Sequence, residues 1–364
     1  MGFLDLVKHL VILGILVFVL LFLLVYFGWI RCCDIPGFCS LYFWVKGKPM
    51  VAIVYGDSGI GDPELLKEKL IKHTGFYPVM INIETLTSAS MLKDFHIVFV
   101  ERARKISTAQ LKMFEHYVKN GGKLVWIGDA GTDLSDEDYI CVNVSVKYKP
   151  LLLNLENTSV NQTLCGPELT GYLAYPEEFS SVCGKTLEEL KKNIELANKS
   201  FLQKVNVCPG TYRVIYPASL EYGVINPWVR GPSTTIQGEK ISGIDFSKLL
   251  GVEYITLLND STITIDVLNP KERLVRGYTR LFVPNISVAL TDTSRFSGSG
   301  YIKVVANLNT RDSIYGKHTW PGIVVTNPYG LGITTGKVVY YAFPPEQLNA
   351  SNLINNMMDF MICD

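Results

Sequence analysis

Residues 123–133 read KLVWIGDAGTD. Leu124 to Ile127 is a short apolar run, and Gly128, Asp129, Ala130 and Gly131 follow at once. An apolar run closed by a Gly-rich turn reads as a strand covered on both faces. Many α/β enzymes hold a nucleophile on a sharp turn at the end of such a strand, and here that place belongs to Asp129.

The same style extends upstream. MVAIVYG, Met50 to Gly56, is a second buried strand running into a Gly-rich turn. Asp62-Pro63 is a helix start, with Asp62 placed to cap and Pro63 at the first helical position. The helix through His73 exposes Glu64, Lys67, Glu68 and Lys72 and turns Leu66, Leu70 and Ile71 inward, and Gly75 closes it. YPVMINI and FHIVFV read as strands. Ser107-Thr108-Ala109-Gln110 is a capping box, followed by a buried stripe at Leu111, Phe114 and Val118 that ends at Gly121-Gly122. Strands alternating with helices predict a parallel sheet with helices on both faces.

After Thr132 the pattern changes. Capping box Thr186-Leu187-Glu188-Glu189 opens a short charged helix, and EYITLL, STITIDVL, RGYTRLFV, ISVAL and YIKVVANL read as strands. The closing segment returns to the earlier style with GIVVTN, GKVVYYAF and a helix from about Gln347 to Ile362. The expected organisation is therefore a membrane helix with a short cytoplasmic tail over residues 1–31 and a juxtamembrane linker over 32–48. An α/β domain over 49–131 follows, then a β-rich insertion over 132–319, and the domain's completion over 320–364.

Composition bounds the function. Lys+Arg and Asp+Glu both number 34 in 364 residues, so nothing in the charge balance favours nucleic acid. Leu10 to Ile30 carries no formal charge and is long enough to cross a bilayer, which takes about 20 residues. No small-x-small cleavage site follows it, so a retained signal-anchor is expected. Asn-x-Ser/Thr triplets occur at Asn143, Asn157, Asn161, Asn198, Asn259, Asn285 and Asn349, more than chance placement gives. They favour a glycosylated domain outside the cell membrane. The eight cysteines, Cys32, Cys33, Cys39, Cys141, Cys165, Cys183, Cys208 and Cys363, permit disulfides in an oxidising compartment, with pairings left open.

Two stretches, STAQLKMFEHYVKNGGKLVWIGDAG (107–131) and GLGITTGKVVYYAFPPEQLNASNLINNMMDFM (330–361), together resemble the class I glutamine amidotransferase-like superfamily. The likeness is to its membrane-associated and trehalose-utilisation-like branches, and its style points to an archaeal cell envelope. The resemblance implies a flavodoxin-like parallel sheet of amidotransferase type, here with a large β-rich insertion and one preceding transmembrane helix. It also places the family's catalytic Cys at Asp129, with Ile127 in place of the motif's first Gly. The family's closing Phe-His-Pro-Glu falls on Phe343-Pro344-Pro345-Glu346. Glu346 remains, but Pro344 has no imidazole. Glutamine hydrolysis needs an activated thiolate and a proton carrier, so no catalysis is expected.

Other candidates are weaker. YGDSGIGDP, Tyr55 to Pro63, leaves a strand and enters a helix, and backbone N–H groups there suit an anion. Asp57 and Asp62 oppose a phosphate, and the glycine spacing completes no nucleotide fingerprint. If a small ligand binds, Asp57, Ser58, Asp62, Asp129, His318 and Glu346 are the residues to inspect. Asp133, Asp136, Glu137 and Asp138 lack EF-hand spacing. No metal constellation and no cofactor motif is present in the sequence. The expected partners are the lipid bilayer and a membrane or cell-envelope protein. The leading reading is a non-catalytic scaffold or accessory subunit. The alternative is an extracellular glycan- or small-molecule-binding protein, or a divergent hydrolase.

Overall fold

The computed structural model describes residues 3–26, 35, 38, 43, 45, 47–133, 135, 139–146, 151–153, 174–176, 205–207, 210–217, 226–230, 233–236, 239–241, 243–259, 263–282, 286–298, 300–312, 316–330 and 336–363. Helix α1, Phe3–Tyr26, contains an apolar span from Val7 to Val25 of mean hydropathy 2.8, exposed from Val7 to Leu20 and covered only near its end, where Val25 packs against Phe38. It starts before Leu10 because Asp5 and Lys8 are tolerated in a helix and nothing breaks the chain there. Residues 27–34, where the apolar run was expected to end, lie outside the described residues.

One nine-stranded sheet organises the rest. Its strands are β1 (Val51–Ser58), β2 (Val79–Asn82), β3 (Ile97–Ala103), β4 (Lys123–Ile127), β5 (Thr264–Val267), β6 (Arg280–Phe282), β7 (Ile302–Asp312), β8 (Gly316–Thr326) and β9 (Lys337–Tyr341). Their spatial order is β6-β5-β7-β8-β9-β4-β3-β1-β2. Pairing is parallel from β2 through β1, β3 and β4 to β9, and antiparallel from β9 outward to β6. The parallel half thus has the doubly wound order 2-1-3-4-5, with β9 as fifth strand. Leu124 to Ile127 and Val338 to Tyr341 are all 0% exposed. Consecutive strand residues point to opposite faces, so total burial means that both faces are covered.

The helices form where the sequence signals lie. In α2 (Pro63–Thr74) the Asp62 carboxylate accepts from Leu65 N–H, and Gly75 closes the helix at φ 68°. In α3 (Thr108–Lys119) both bonds of the Ser107–Gln110 capping box are made. Phe114 of α3 meets Trp126 of β4 edge-on at 5.5 Å, and Phe246 covers Trp126 at 4.8 Å. Helix α4 (Ser351–Cys363) packs beside α2. It begins later than Gln347, because Pro345–Gln347 form a separate 3₁₀ turn between Pro344 and Leu348.

Strands expected from 264 to 312 form, and they extend the same sheet outward from β9 rather than building a body of their own. The far edge of β9, a strand buried from Val338 to Tyr341, would otherwise be unpaired. Glu253–Asn259 and Ser287–Asp292 pair with each other, and Ala289 N–H donates to Ala342 O just beyond β9. The helix expected from Thr186 and most of the sequons lie outside the described residues.

Candidate functional site

The C-terminal ends of β1, β3, β4 and β9 converge at one edge of the sheet, the place where open α/β sheets bind ligands. Ile127 leads into a turn held by Gly128 at φ 64° and Gly131 at φ 71°. Gly128 N–H donates to Tyr341 O at 2.7 Å, and Thr132 donates to Asp129 O through N–H and Oγ1. The nucleophile-type turn read from the sequence is therefore present, with Asp129 on it.

The crevice above that turn is occupied by the protein itself. β1 bulges between Tyr55 and Ser58, and the chain then lays Gly59 to Asp62 across the strand ends. Ile60 N–H donates to Asp129 Oδ1 at 2.9 Å. A Cβ at Gly128 would stand 2.2 Å from Ile60 Cδ1, so the isoleucine side chain fills the space over the turn. Ser58 O and Ile60 O accept from Arg104 and Arg102 N–H, which stitches the loop to the end of β3. Arg102 has φ 52°, the only positive value outside glycine among the described residues. That twist separates the inward Glu101 from the exposed Arg102.

Asp129 is 1% exposed. Burial raises its pKa above the usual carboxylate value, against the opposing pull of the Ile60 N–H and the Arg104 charge. Arg104 Nε stands 3.6 Å from Asp129 Oδ2 and 3.3 Å from Asp133 Oδ2. A second roof comes from the segment around 228. Trp228 and Trp126 both donate from Nε1 to Ala130 O, at 2.9 and 3.0 Å. The fully buried Arg230 donates to Gly131 O at 2.8 Å, to Pro227 O and to Ile106 O. Tyr340 Oη donates to Gly128 O at 3.1 Å, and Trp228 meets that tyrosine edge-on at 5.8 Å. Tyr254 packs on Trp228, and burial, aided by the Asp129 charge, pushes its phenol up to about 12.

Beside Asp129 lies a pair of carboxyl groups. Glu101, at the end of β3, and Glu346, after β9, are both 0% exposed. The N–H of Asp62 donates to Glu101 Oε1 at 2.7 Å and to Glu346 Oε1 at 3.1 Å. Written as two carboxylates, each leaves Oε2 buried with no donor. One proton held between them removes that conflict. Desolvation is the main cause that raises both pKa values, Glu346 to about 7 and Glu101 well above its usual value. The adjacent Glu346 charge and the hydrogen bond to it raise Glu101 further, so Glu101 keeps the proton.

The structure brings Asp62, Asp129 and Glu346 to one loop and leaves Asp57 and Ser58 exposed. His318 lies on β8 opposite Thr310, on the overhang beyond the last β8–β9 pair, and its side chain lies outside what the structure describes. Pro344 is buried. Among the described residues no group of three or more His, Cys, Asp or Glu is arranged to hold a metal ion. Glu101 was missed as a site residue. Its signal was a charge set directly after the apolar run IVFV, at a strand's C-terminal end. Trp228 and Arg230, in INPWVRG, carried no periodic signal.

No protein-family model matches the sequence, and no curated protein does. Solved structures with a similar chain path include a ThuA-like protein from Bacteroides uniformis, at 12% identity and TM-score 0.43, over 86% of this chain and 91% of that one. A β-galactosidase from Rahnella sp. R3 matches at 13% identity and TM-score 0.42, over 89% of this chain but 33% of the enzyme. A GMP synthase component from Thermoplasma acidophilum matches at 7% identity and TM-score 0.35, over 86% of this chain and 94% of that one. Likeness at this level carries no argument about activity.

Proposed function

We propose that the protein is a catalytically silent, amidotransferase-like accessory or scaffold protein, anchored in a cell membrane by α1 with its globular part outside. The observation that carries the non-catalytic reading is the filled crevice. Ile60 occupies the space over the turn, and its N–H engages the carboxylate that stands where the family's thiol would be. A working nucleophile needs room for a substrate carbonyl and a base within reach. Asp129 has neither the room nor an imidazole at position 344.

Three further features support the outer location. The apolar span of α1 is exposed from Val7 to Leu20, as an anchoring helix leaves it. Cys363 is disulfide-bonded, as proteins of oxidising compartments commonly are. Asn349, which opens one of the seven triplets, is exposed on the turn before α4. Assignment to an archaeal envelope complex rests on the sequence resemblance alone.

The test is a glutamine-hydrolysis assay on the full chain in detergent or nanodiscs, beside affinity purification from crosslinked native membranes. No ammonia release, with a stoichiometric membrane or envelope protein recovered, is the expected outcome. Turnover that Asp129→Asn abolishes in a folded protein would overturn it. The alternative, glycan or small-molecule binding, is favoured by one observation. An open groove of about 470 Å³ runs along α2 beside Asp62, Glu64, Leu65, Lys67, Glu68 and Ile71. Saturable binding of a neutral oligosaccharide, lost on Leu65→Trp, would support it.

A further inference from the structure

We propose that the end of the sheet carrying the strands' N-termini is a membrane-docking surface, which rests against anionic lipid headgroups. The inference builds on α1 as the anchor. Val51, Ile97 and Lys123 lie side by side in register, and Lys123 pairs with Lys337, so the starts of β1, β3, β4 and β9 share one edge. The chain from α1 enters the domain at this edge through Lys48 and Met50. Its reach is short, because Phe38 in the linker packs against Val25 and Phe18 of α1. From Phe38 to Val51 even a fully extended chain spans at most about 45 Å.

What lies at this edge fits a headgroup layer. Tyr77 is 77% exposed, Val79 47% and Met50 46%. Around them stand exposed lysines from four separate connections. Lys48 precedes β1, Lys72 ends α2, Lys93 precedes β3 and Lys119 ends α3. Two hydrogen bonds fix these connections together: Lys48 Nζ donates to Gly75 O, and Tyr117 Oη donates to Phe95 O. Among the described residues the exposed acidic groups nearby are Asp94 and Asp359, fewer than the four lysines. An amphipathic tyrosine, two aliphatic side chains and clustered lysines are what an anionic interface attracts. The same arrangement turns the filled crevice, at the strands' other end, away from the bilayer.

The experiment uses the full chain in nanodiscs of phosphatidylcholine alone or with phosphatidylglycerol. A benzophenone amino acid replaces Tyr77 in one preparation and Asp57, at the far end of β1, in another. Lipid crosslinks are read by mass spectrometry. Crosslinking at position 77 at least about fivefold above position 57, and stronger with phosphatidylglycerol, is expected. The combined Lys48→Gln, Lys72→Gln and Lys93→Gln variant removes the phosphatidylglycerol preference, each lysine being worth about fivefold. Equal labelling at the two positions in a chain that resists carbonate extraction overturns the docking surface and leaves the anchor standing. Release of the chain by carbonate from native membranes overturns the anchor and this surface with it.

Discussion

Glu101 and Glu346, each wholly buried, accept the same backbone N–H, that of Asp62, at 2.7 and 3.1 Å. One comes from the end of β3 and the other from the turn after β9, so this N–H ties together strands far apart in sequence. The pair works as a protonated clamp on the loop that fills the crevice. Its protons are bound more tightly in the folded chain than in the unfolded one.

The pH dependence follows in sign. Glu346 is raised from its usual 4.5 to about 7, and Glu101 lies well above its usual value. Stability from the pair is fully present below the usual carboxylate pKa. It falls as pH rises toward about 7, and further as Glu101 loses its proton. Urea unfolding of the chain should show a loss on the order of 2–3 kcal/mol between about pH 5 and pH 7 from Glu346, with a further loss at higher pH as Glu101 ionises. Glu101→Gln keeps a donor toward Glu346 and removes one ionisation, so its profile should be flatter. An unchanged slope in that variant would refute the shared proton.

Gly61 tests the same clamp by space rather than charge. It sits at φ 110°, and a Cβ there would lie 2.0 Å from Glu101 Oε1. Gly61→Ala must strain the backbone and displace a buried carboxyl, and should cost about 3 kcal/mol. Gly277→Ala has open space but also a positive φ, and so reports the strain alone. Equal losses in the two variants, measured by urea denaturation, would show that Glu101 is not pressed under the loop.

The parallel half was legible because each signal there was local. Asp62 with Pro63 and Ser107 with Gln110 wrote both helix starts, and four-residue apolar runs wrote the strands. The turn at Asp129 was visible for the same reason. The outer half was visible as strands but not as a continuation of one sheet, since β5 joins the sheet only by pairing with β7, beyond the whole segment 268–301. The loop over the crevice hid its role likewise. Gly59-Ile60-Gly61 reads as an anion-binding turn until Gly128, far along the chain, provides the seat for Ile60.

Trp228 and Arg230 hold the turn from the other side. Arg230 donates to carbonyls of Gly131, Pro227 and Ile106, none of which a shortened side chain reaches. Arg230→Met keeps much of the apolar stem and loses those bonds, at an expected cost of about 2–4 kcal/mol. Trp228→Ala should cost about 3–5 kcal/mol, since the indole is wholly buried. Thermal unfolding and tryptophan fluorescence would report both. Near-wild-type stability in both variants would show that the turn needs no roof.

The sharpest test of the silent site is to restore the missing chemistry. Asp129→Cys with Pro344→His supplies a thiol and an imidazole at the two positions matched to the family's motif, beside the retained Glu346. If missing groups were the whole reason for silence, this variant would release ammonia from glutamine. The structure adds a second reason: Ile60 stands where the substrate carbonyl must enter, pinned by Gly128 beneath it and by Arg102 N–H on its carbonyl. The double variant should therefore stay inactive even when its thiol titrates. Ile60→Gly in the same background should at least let a small alkylating reagent reach the introduced thiol at position 129, with a rate rise of about tenfold or more. Ammonia release by the double variant alone, confirmed as folded by circular dichroism, would show that the crevice is open and that silence lay only in the side chains.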